Sequence, residues 1–410
     1  MWKFTGEGEV QKMRRGLVLL ILALLCLLAG CAAWMGGSYA SVTPHTEGYA
    51  QTEPVDTAVA SSQNELISVL ASLVKNHTVQ ASVDVSQYEG NLAQELDVAV
   101  CKVMETDPVV AYAAQDIQLQ QTEVGVRQVV SVEITYSRTQ EELQAIQTAW
   151  GESGIKSKVS AALERVEPAI TLQVTNYQPV NLDLFVRTYY EGHLETIMEC
   201  PQVEVQVYPE QGSERVVEIQ FLYSASQETL LQMRQEVQVL LNSAAGYVEG
   251  QTSEEIKASR LYAFLRPLFV QSRPSETPVY SLLCVGTGDS RSVAMVYGLL
   301  CRRAGLDCQM VSGTSNGREW YWNILRLDGV YCHVDVLADL EAGTLRTRYD
   351  EDMEGYVWNT KSCPPCPKPL PPATEETAPT EPEETQESQP VEESTVPEEE
   401  TTEPEETPEE

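Results

Sequence analysis

Three residues of this chain have types and spacing that could do chemistry: a hydroxyl, an aromatic ring and a carboxylate. Ser290 follows a turn of small residues, Gly286–Asp289, at a point where a helix begins. Trp320 and Asp335 come later, on separate segments. A nucleophile at a helix N-terminus is activated when an adjacent base takes its proton, and that base needs a carboxylate to orient it. The chemistry therefore depends on whether a base stands between the hydroxyl and the carboxylate.

The elements around these residues can be predicted from apolar spacing. Val293, Tyr297, Leu300 and Ala304 recur at three- and four-residue steps, which predicts a helix with one buried face, capped by Asp289 or Ser290. Cys308–Gly313 reads as a strand running into a turn. Trp320–Asp335 reads as a hairpin that turns at Asp328-Gly329. An earlier helix, Ser253–Phe269, has a serine N-cap and an acidic first turn.

This order of elements resembles the transglutaminase-like superfamily, whose domains have a papain-like α+β fold. The resemblance covers Ser253 to about Trp358, roughly a quarter of the chain. Members carry a cysteine at the start of the helix, a His-x-Trp-Asn strand and a final strand that ends in aspartate. The positions of this chain that agree with the pattern are Ala294, Gly305, Gly313, the Trp322-Asn323 pair, Gly329 and Asp335.

The same resemblance shows what is missing. The family's cysteine falls on Ser290 and its histidine falls on Trp320, so only Asp335 of the triad is retained. Trp320 has no basic nitrogen, and a serine without a base is an ordinary alcohol that is better suited to cap a helix. The resemblance therefore implies a pseudoenzyme.

Two further residues could rescue the chemistry. His333 lies two residues before Asp335, on the same strand face; it could reach the edge of the pocket, but we expect a strand histidine at the surface. Cys284 precedes the turn, and we expect it to be buried or disulfide-bonded. The alternative function is thus an enzyme that acts on envelope peptides or proteins with an atypical nucleophile, Ser290 or Cys284.

A cleft that has lost its chemistry could still bind a ligand. Aromatic walls with one carboxylate suit a peptide or a glycan. The other interpretation is that the aromatic rings fill the space left by the triad. The ligand-binding candidates are Ser290, Trp320, Tyr321, Trp322 and Asp335.

The middle of the chain contains a duplication. Val83–Tyr88 and Val132–Ser137 are matched by Leu172–Tyr177 and Ile219–Ser224, at offsets of 89 and 87 residues. Matches in the same order and at nearly the same spacing indicate two copies of one module. We place module 1 at residues 63–150 and module 2 at residues 151–248.

Each module alternates between helical and strand periods. In module 1 we predict helices at Glu65–Val74, Leu92–Val103 and Thr139–Trp150, a strand at Ala81–Tyr88, and two strands within Asp116–Ser137 that turn near Gly125. This gives an α+β module. The histidines and cysteines of the two copies do not correspond, so we interpret the modules as spacers or binding units; these residues are His77, His193, Cys101 and Cys200.

The start of the chain predicts secretion. Basic residues precede an apolar run, Gly16–Leu28, which ends in Leu28-Ala29-Gly30-Cys31. The last four residues resemble the lipobox of bacterial lipoproteins, which implies that Cys31 carries lipid and that residues 1–31 act as a signal peptide. An uncleaved N-terminal membrane anchor is the alternative. Either way we expect a cell-membrane protein on the extracytoplasmic face, with a flexible tether at residues 32–62.

The end of the chain differs in composition from the rest. Residues 361–410 are rich in Pro, Glu and Thr, and we predict a disordered acidic tail. Cys363-Pro364-Pro365-Cys366 has CxxC spacing without a second pair for zinc, so a local disulfide or free thiols are expected. Disulfide pairing in general cannot be read from the sequence. We predict no metal and no cofactor.

Composition limits the function further. The formal net charge is −34, and an acidic chain without a basic patch is not suited to binding nucleic acid. The fold class is α+β: two repeated α+β modules, a transglutaminase-like domain at residues 249–360 and the tail. We expect a lipoprotein that binds or scaffolds at the bacterial envelope, with peptides, proteins or glycans as partners. A purely structural spacer is the third possibility.

Overall fold

The computed structural model describes residues 58–369. The predicted signal peptide, Cys31 and most of the predicted tether lie outside these residues, as does the tail beyond residue 369. No helix within the described range is long and apolar enough to cross a membrane. The described chain divides into two compact units of interleaved segments, one formed by residues 58–69, 79–99 and 117–133, the other by residues 70–78, 100–116 and 134–369.

The first sheet has the strand order β1-β2-β4-β3. Its strands are β1 (Ala58–Val59), β2 (Gln80–Asp84), β3 (Ala114–Val124) and β4 (Arg127–Tyr136). The helices of this part of the chain are α1 (Gln63–Lys75), α2 (Leu92–Thr106) and α3 (Pro108–Ala113). Helix α3 was not predicted; Asp107 caps it and a proline occupies its first position, a combination that starts a helix without long periodicity.

A second sheet repeats this topology with the order β5-β6-β8-β7. Its strands are β5 (Gln147–Trp150), β6 (Ala169–Thr175), β7 (Gln202–Tyr208) and β8 (Glu214–Leu222), and its helices are α5 (Gly151–Arg165), α6 (Leu182–Gly192) and α7 (Gln227–Val248). The strand register repeats as well: Val83 pairs with Val130 in the first sheet, and Leu172 pairs with Val217 in the second. The duplication is therefore present in the topology.

One predicted helix is wrong. Of Thr139–Trp150, only α4 (Gln140–Gln144) is helical, closed by a capping box between Thr139 and Glu142. Gln147–Trp150 instead forms β5, which runs parallel to β6. A short polar helix has few apolar contacts to hold it, whereas the strand gains a full ladder from its neighbour. The strand β2 also ends at Asp84, earlier than predicted.

Residues 254–358 contain the sheet that carries the candidate site and the helices around it. The strand order is β11-β10-β9-β12, with β9 (Cys308–Ser315), β10 (Arg318–Leu327), β11 (Val330–Val334) and β12 (Tyr356–Trp358). The helices are α8 (Glu254–Leu265), α9 (Pro278–Tyr280), a π-helical turn Ser281–Val285, α10 (Ser290–Arg303), α11 (Val336–Ala342) and a 3₁₀ turn Asp350–Asp352. The hairpin turns where predicted, because Asp328 and Gly329 both adopt positive φ, at 50° and 89°.

A large hydrophobic core runs through the second unit. It extends from Ile155 in α5 to Leu337 in α11 and joins the second sheet, α7, α8 and α10. A smaller core on the other side of the third sheet contains Trp322, Ile324 and Cys366. Cys366 is completely buried, so the packed chain continues beyond residue 361, where we had predicted the disordered tail to begin. The mixed helices and sheets confirm the α+β fold class.

Candidate functional site

The N-terminus of α10 is capped by Asp289, not by Ser290. The Asp289 carboxylate accepts hydrogen bonds from the backbone N–H of Ser292 at 2.8 Å and from its hydroxyl at 2.7 Å. Ser290 is the first helical residue and is buried. No hydrogen bond joins its hydroxyl to another group of residues 58–369, so the structure offers it no proton acceptor. Of the two caps predicted from the sequence, Asp289 is confirmed and Ser290 is wrong, because Asp289 already supplies the acceptor that the first turn needs.

Trp320 and Asp335 are in direct contact. The indole Nε1–H of Trp320 donates a hydrogen bond of 2.7 Å to Oδ2 of Asp335. The hydroxyl of Tyr356 donates to the same oxygen at 2.6 Å, and the backbone N–H of Ala338 donates to Oδ1 at 3.1 Å. Asp335 is completely buried and caps α11. Its oxygens are therefore satisfied by donors that cannot accept a proton from a nucleophile.

Tyr356 is a part of this arrangement that the sequence did not indicate. It lies on β12, whose pairing with β9 brings it beside Asp335. Burial, followed by the hydrogen bond to Asp335, raises the pKa of Tyr356 to about 12, so its hydroxyl stays protonated and remains a donor. A tyrosine 21 residues from its partner on a three-residue strand leaves no periodic signal from which it could have been found.

Asn323 ties the strand to the helix. Its Nδ2 donates to the carbonyl of Ala294 at 3.0 Å, and its Oδ1 is buried without a partner in the described chain. Trp322, its neighbour, is completely buried on the opposite face and packs at right angles to Trp358, with ring centroids 5.8 Å apart. The Trp322-Asn323 pair therefore anchors both faces of the sheet: Asn323 bonds to helix α10 on one face, and Trp322 packs against Trp358 on the other.

The expectation for His333 is wrong. This residue is completely buried instead of lying at the surface. Its Nδ1 receives a hydrogen bond of 3.0 Å from the indole of Trp322, and its Nε2 lies 3.0 Å from Oδ1 of Asp350. Period two gave its face correctly, but β12 and the segment containing Cys366 cover that face. Burial lowers the pKa of His333, and the hydrogen bond to Asp350 opposes that shift.

Within the described range, one group of side chains has its possible metal-ligand atoms close together. Ligand atoms of His333, Asp350 and Cys366 lie within 4.8 Å of one another. The indole of Trp322 can only donate, so Nδ1 of His333 carries no proton and the single proton of a neutral ring is on Nε2, facing Asp350. A metal-bound histidine has the reverse arrangement, with its second nitrogen donating outward. Burial and Asp350 also raise the pKa of Cys366 to about 12, which disfavours the thiolate. The donor set does not fit a metal ion.

The cysteines of the described range are unpaired thiols in this structure. Cys284, the other candidate nucleophile, is half-buried in the π-helical turn. Burial and the charge of Glu236 raise its pKa to about 11. Since the thiolate is the nucleophile, these surroundings oppose reactivity.

A cleft of about 1270 Å³ opens beside the site. It is lined by Asp289, Arg291 and Ser292, which flank Ser290, and by Tyr321. Of the five predicted ligand-binding residues, Tyr321 is the one that lines it. Trp322 and Asp335 are completely buried and cannot form an open wall, and Trp320 closes over Asp335. Arg291 was not predicted, because an arginine on a helix is normally a solvated side chain.

Comparison with known proteins gives partial similarities. No family model and no curated protein matches the chain. Among solved structures, one described as a TGase matches 46% of this chain and 58% of its own length, with 9% identity and a TM-score of 0.21. A putative cysteine protease from Cytophaga hutchinsonii matches 38% of this chain and 70% of its own, with 10% identity and a TM-score of 0.23.

A putative protease from Parabacteroides distasonis matches 62% of this chain and 39% of its own length, with 10% identity and a TM-score of 0.19. The chain thus spans a little over half the length of the TGase and less than half of the Parabacteroides protein. These are similarities of parts of the chain to each of the three structures.

Proposed function

We propose that this protein is a bacterial envelope lipoprotein whose last domain is transglutaminase-like and binds or scaffolds without catalysis. The observation that carries the proposal is the hydrogen bond from Trp320 to Asp335. In a Cys-His-Asp triad the carboxylate orients a base. Here the corresponding carboxylate is satisfied by an indole and a phenol, and neither has a basic atom.

The sequence resemblance and the site geometry support the same assignment of positions. Trp320 was matched to the family's histidine on the spacing to Trp322-Asn323, and it makes the contact with Asp335 that a triad histidine would make. Ser290 begins the helix at the position matched to the family's cysteine. A domain that keeps the hydrogen bond from position 320 to Asp335 but has no histidine there can keep its fold without a catalytic base.

The alternative, an enzyme with an atypical nucleophile, has less support. Ser290 has no hydrogen-bonded base in the described chain, and the pKa of Cys284 is raised rather than lowered. General-base activation needs an acceptor within hydrogen-bond reach of the nucleophile. The lipid on Cys31, the envelope location and the bacterial origin rest on the N-terminal sequence alone and belong to the proposal.

An activity assay tests the proposal. Purified protein is incubated with a glutamine-containing peptide and a fluorescent primary amine, and incorporation and peptide hydrolysis are both measured, with an active transglutaminase as positive control. We expect rates equal to buffer alone. Turnover that is abolished by Ser290→Ala, or by Cys284→Ala, would overturn the proposal and identify the nucleophile.

A further inference from the structure

The cleft beside the degenerate site has two walls from different parts of the second unit. Helix α6 and strand β7, from the second repeated module, contribute Tyr190 and Glu204. The last domain contributes Arg291 on α10, Tyr321 on β10 and Glu276 on the loop before α9. The volume of about 1270 Å³ exceeds the typical range for a small-molecule site and suits an extended segment. The cleft therefore does not depend on the lost triad.

Tyr190 lies in this cleft with an unused hydroxyl. The residue is 2% exposed and lines the cleft, yet its hydroxyl makes no hydrogen bond within residues 58–369. Two buried tyrosines elsewhere in the second unit are paired: Tyr297 donates to the backbone carbonyl of Ala258 at 3.0 Å, and Tyr262 donates to the backbone carbonyl of Asp339 at 2.8 Å. Burial raises the pKa of Tyr190, so its hydroxyl stays protonated. Because Tyr190 lines the cleft, its hydroxyl can donate to a group that enters the cleft, such as a carbonyl oxygen.

The charges that face the cleft are mostly negative. Five carboxylates and two guanidinium groups line it. Glu191 pairs with Arg291 at 3.3 Å, and Asp289 is occupied by the helix cap. The remaining carboxylates, Asp183, Glu204 and Glu276, are exposed and have no ion pair in the described chain, and they are opposed by Arg187 alone. The unpaired charge therefore favours a cationic ligand.

Part of the wall between these charges is apolar. Met295 and Met310 line the cleft, and the ring of Tyr321 lies 5.9 Å from the guanidinium of Arg291. Thioether and aromatic surfaces accept aliphatic stems of varied shape. A lysine or arginine side chain combines such a stem with a charged end.

From these features we propose that the cleft binds a cationic peptide segment, with its lysine or arginine side chains at Glu204 and Glu276 and a main-chain carbonyl accepting from Tyr190. The inference rests on the proposed binding function and names its ligand class. The ligand would sit beside Ser290, on the residues that flank it, rather than on the triad positions. Both walls would be needed to hold it.

A labelled pentalysine peptide is the probe, with pentaglutamate and pentaasparagine as comparisons, and affinity is measured by fluorescence anisotropy on the full chain at 0.15 M salt. Because the chain is acidic overall, the design needs a matched control for non-specific attraction. The Glu204→Gln/Glu276→Gln pair removes two cleft carboxylates. The Glu105→Gln/Glu341→Gln pair removes two exposed carboxylates that do not line the cleft. Tyr190→Phe removes only the hydroxyl.

We expect pentalysine to bind, and the cleft pair to weaken binding about tenfold while the control pair changes it less than about twofold. Tyr190→Phe should weaken binding about fivefold. A photoreactive pentalysine should crosslink to the segments around residues 201–204 and 274–278. Equal weakening by both pairs, crosslinks elsewhere or no binding would overturn the inference. The activity assay with the amine and the glutamine peptide is independent of these results, so failure of the proposed function would be recognised separately.

Discussion

The indole nitrogen of Trp322 lies 3.0 Å from Nδ1 of His333 in the interior of the last domain. Because indole only donates, the imidazole must accept at Nδ1 and carry its proton on Nε2. This N–H then donates a hydrogen bond to the carboxylate of Asp350. Protonation at Nδ1 would remove the acceptor and leave the indole N–H of a completely buried residue without a partner. The structure is therefore built around a neutral histidine.

The first prediction concerns pH. The pKa of His333 is lowered in the folded chain, so the unfolded chain takes up a proton first as the pH falls below about 6.5. The stabilisation by neutral His333 is complete at neutral pH and is lost as the pH falls towards the folded-state pKa. We expect the difference in free energy of unfolding between wild type and His333→Gln to shrink as the pH falls from 7.5 to 5.

Urea denaturation at several pH values measures this difference. Tyr331→Phe is the control, since neither side chain titrates between pH 5 and pH 7.5. A gap between wild type and His333→Gln that stays constant over this range would show that the histidine is not held neutral by its surroundings.

The second prediction concerns the donors on Asp335. Tyr356→Phe removes one of three hydrogen bonds to a completely buried carboxylate and should lower the free energy of unfolding by about 1–3 kcal/mol. Tyr331→Phe is matched to it: its hydroxyl also donates to a carboxylate, that of Asp307, but at the surface. We expect no measurable change for that variant. Equal effects in thermal or urea denaturation would mean that Asp335 does not depend on Tyr356.

The third prediction uses a glycine of the third sheet. A Cβ at Gly313 would collide with the carbonyl oxygen of Val357 and lie 2.9 Å from the ring of Trp322. Gly313→Ala should therefore separate β12 from β9 and cost about 3 kcal/mol or more. Gly246→Ala, in helix α7 with nothing within 4 Å of the added Cβ, should instead be neutral or stabilise by up to about 1 kcal/mol. The reverse order of stabilities would contradict the packing described for β12.

The fourth prediction restores the missing groups. Ser290→Cys places a thiol at the N-terminus of α10, and Trp320→His places an imidazole beside Asp335. We expect the introduced thiol to have a lower pKa in the double variant than in Ser290→Cys alone, because a nearby protonated imidazole adds to the effect of the helix N-terminus. The rate of iodoacetamide labelling at position 290, followed by mass spectrometry across pH, measures both. Identical profiles in the two variants would count against the assigned positions.

The caps and turns around the candidate site were predicted well from short stretches of sequence. The serine cap of α8 forms as expected: the backbone N–H of Ile256 donates to the Ser253 hydroxyl at 3.3 Å. The Asp328-Gly329 turn and the helix after Asp289 also lie where composition placed them. Each of these features is decided by a few adjacent residues, so their physics is contained in the local sequence.

Long-range contacts were the part that the sequence could not supply. The burial of His333 depends on β12 and on the chain around Cys366, which approach from more than 20 residues away. Strand β5 formed where a helix was predicted, because its partner β6 outweighs local propensity. The cleft arises between the second module and the last domain, and no pattern within either segment indicates it.

The continuous core from Ile155 to Leu337 joins the two walls of the cleft into one folding unit. A destabilising mutation in α5 should thus also lower the stability of β10. The second module and the last domain should unfold in a single cooperative transition. Evolution cannot exchange the last domain for another without repacking its partner. Under the proposed binding function, the last domain and the module beside it would then be inherited as a pair that is retained for the joint surface of the cleft.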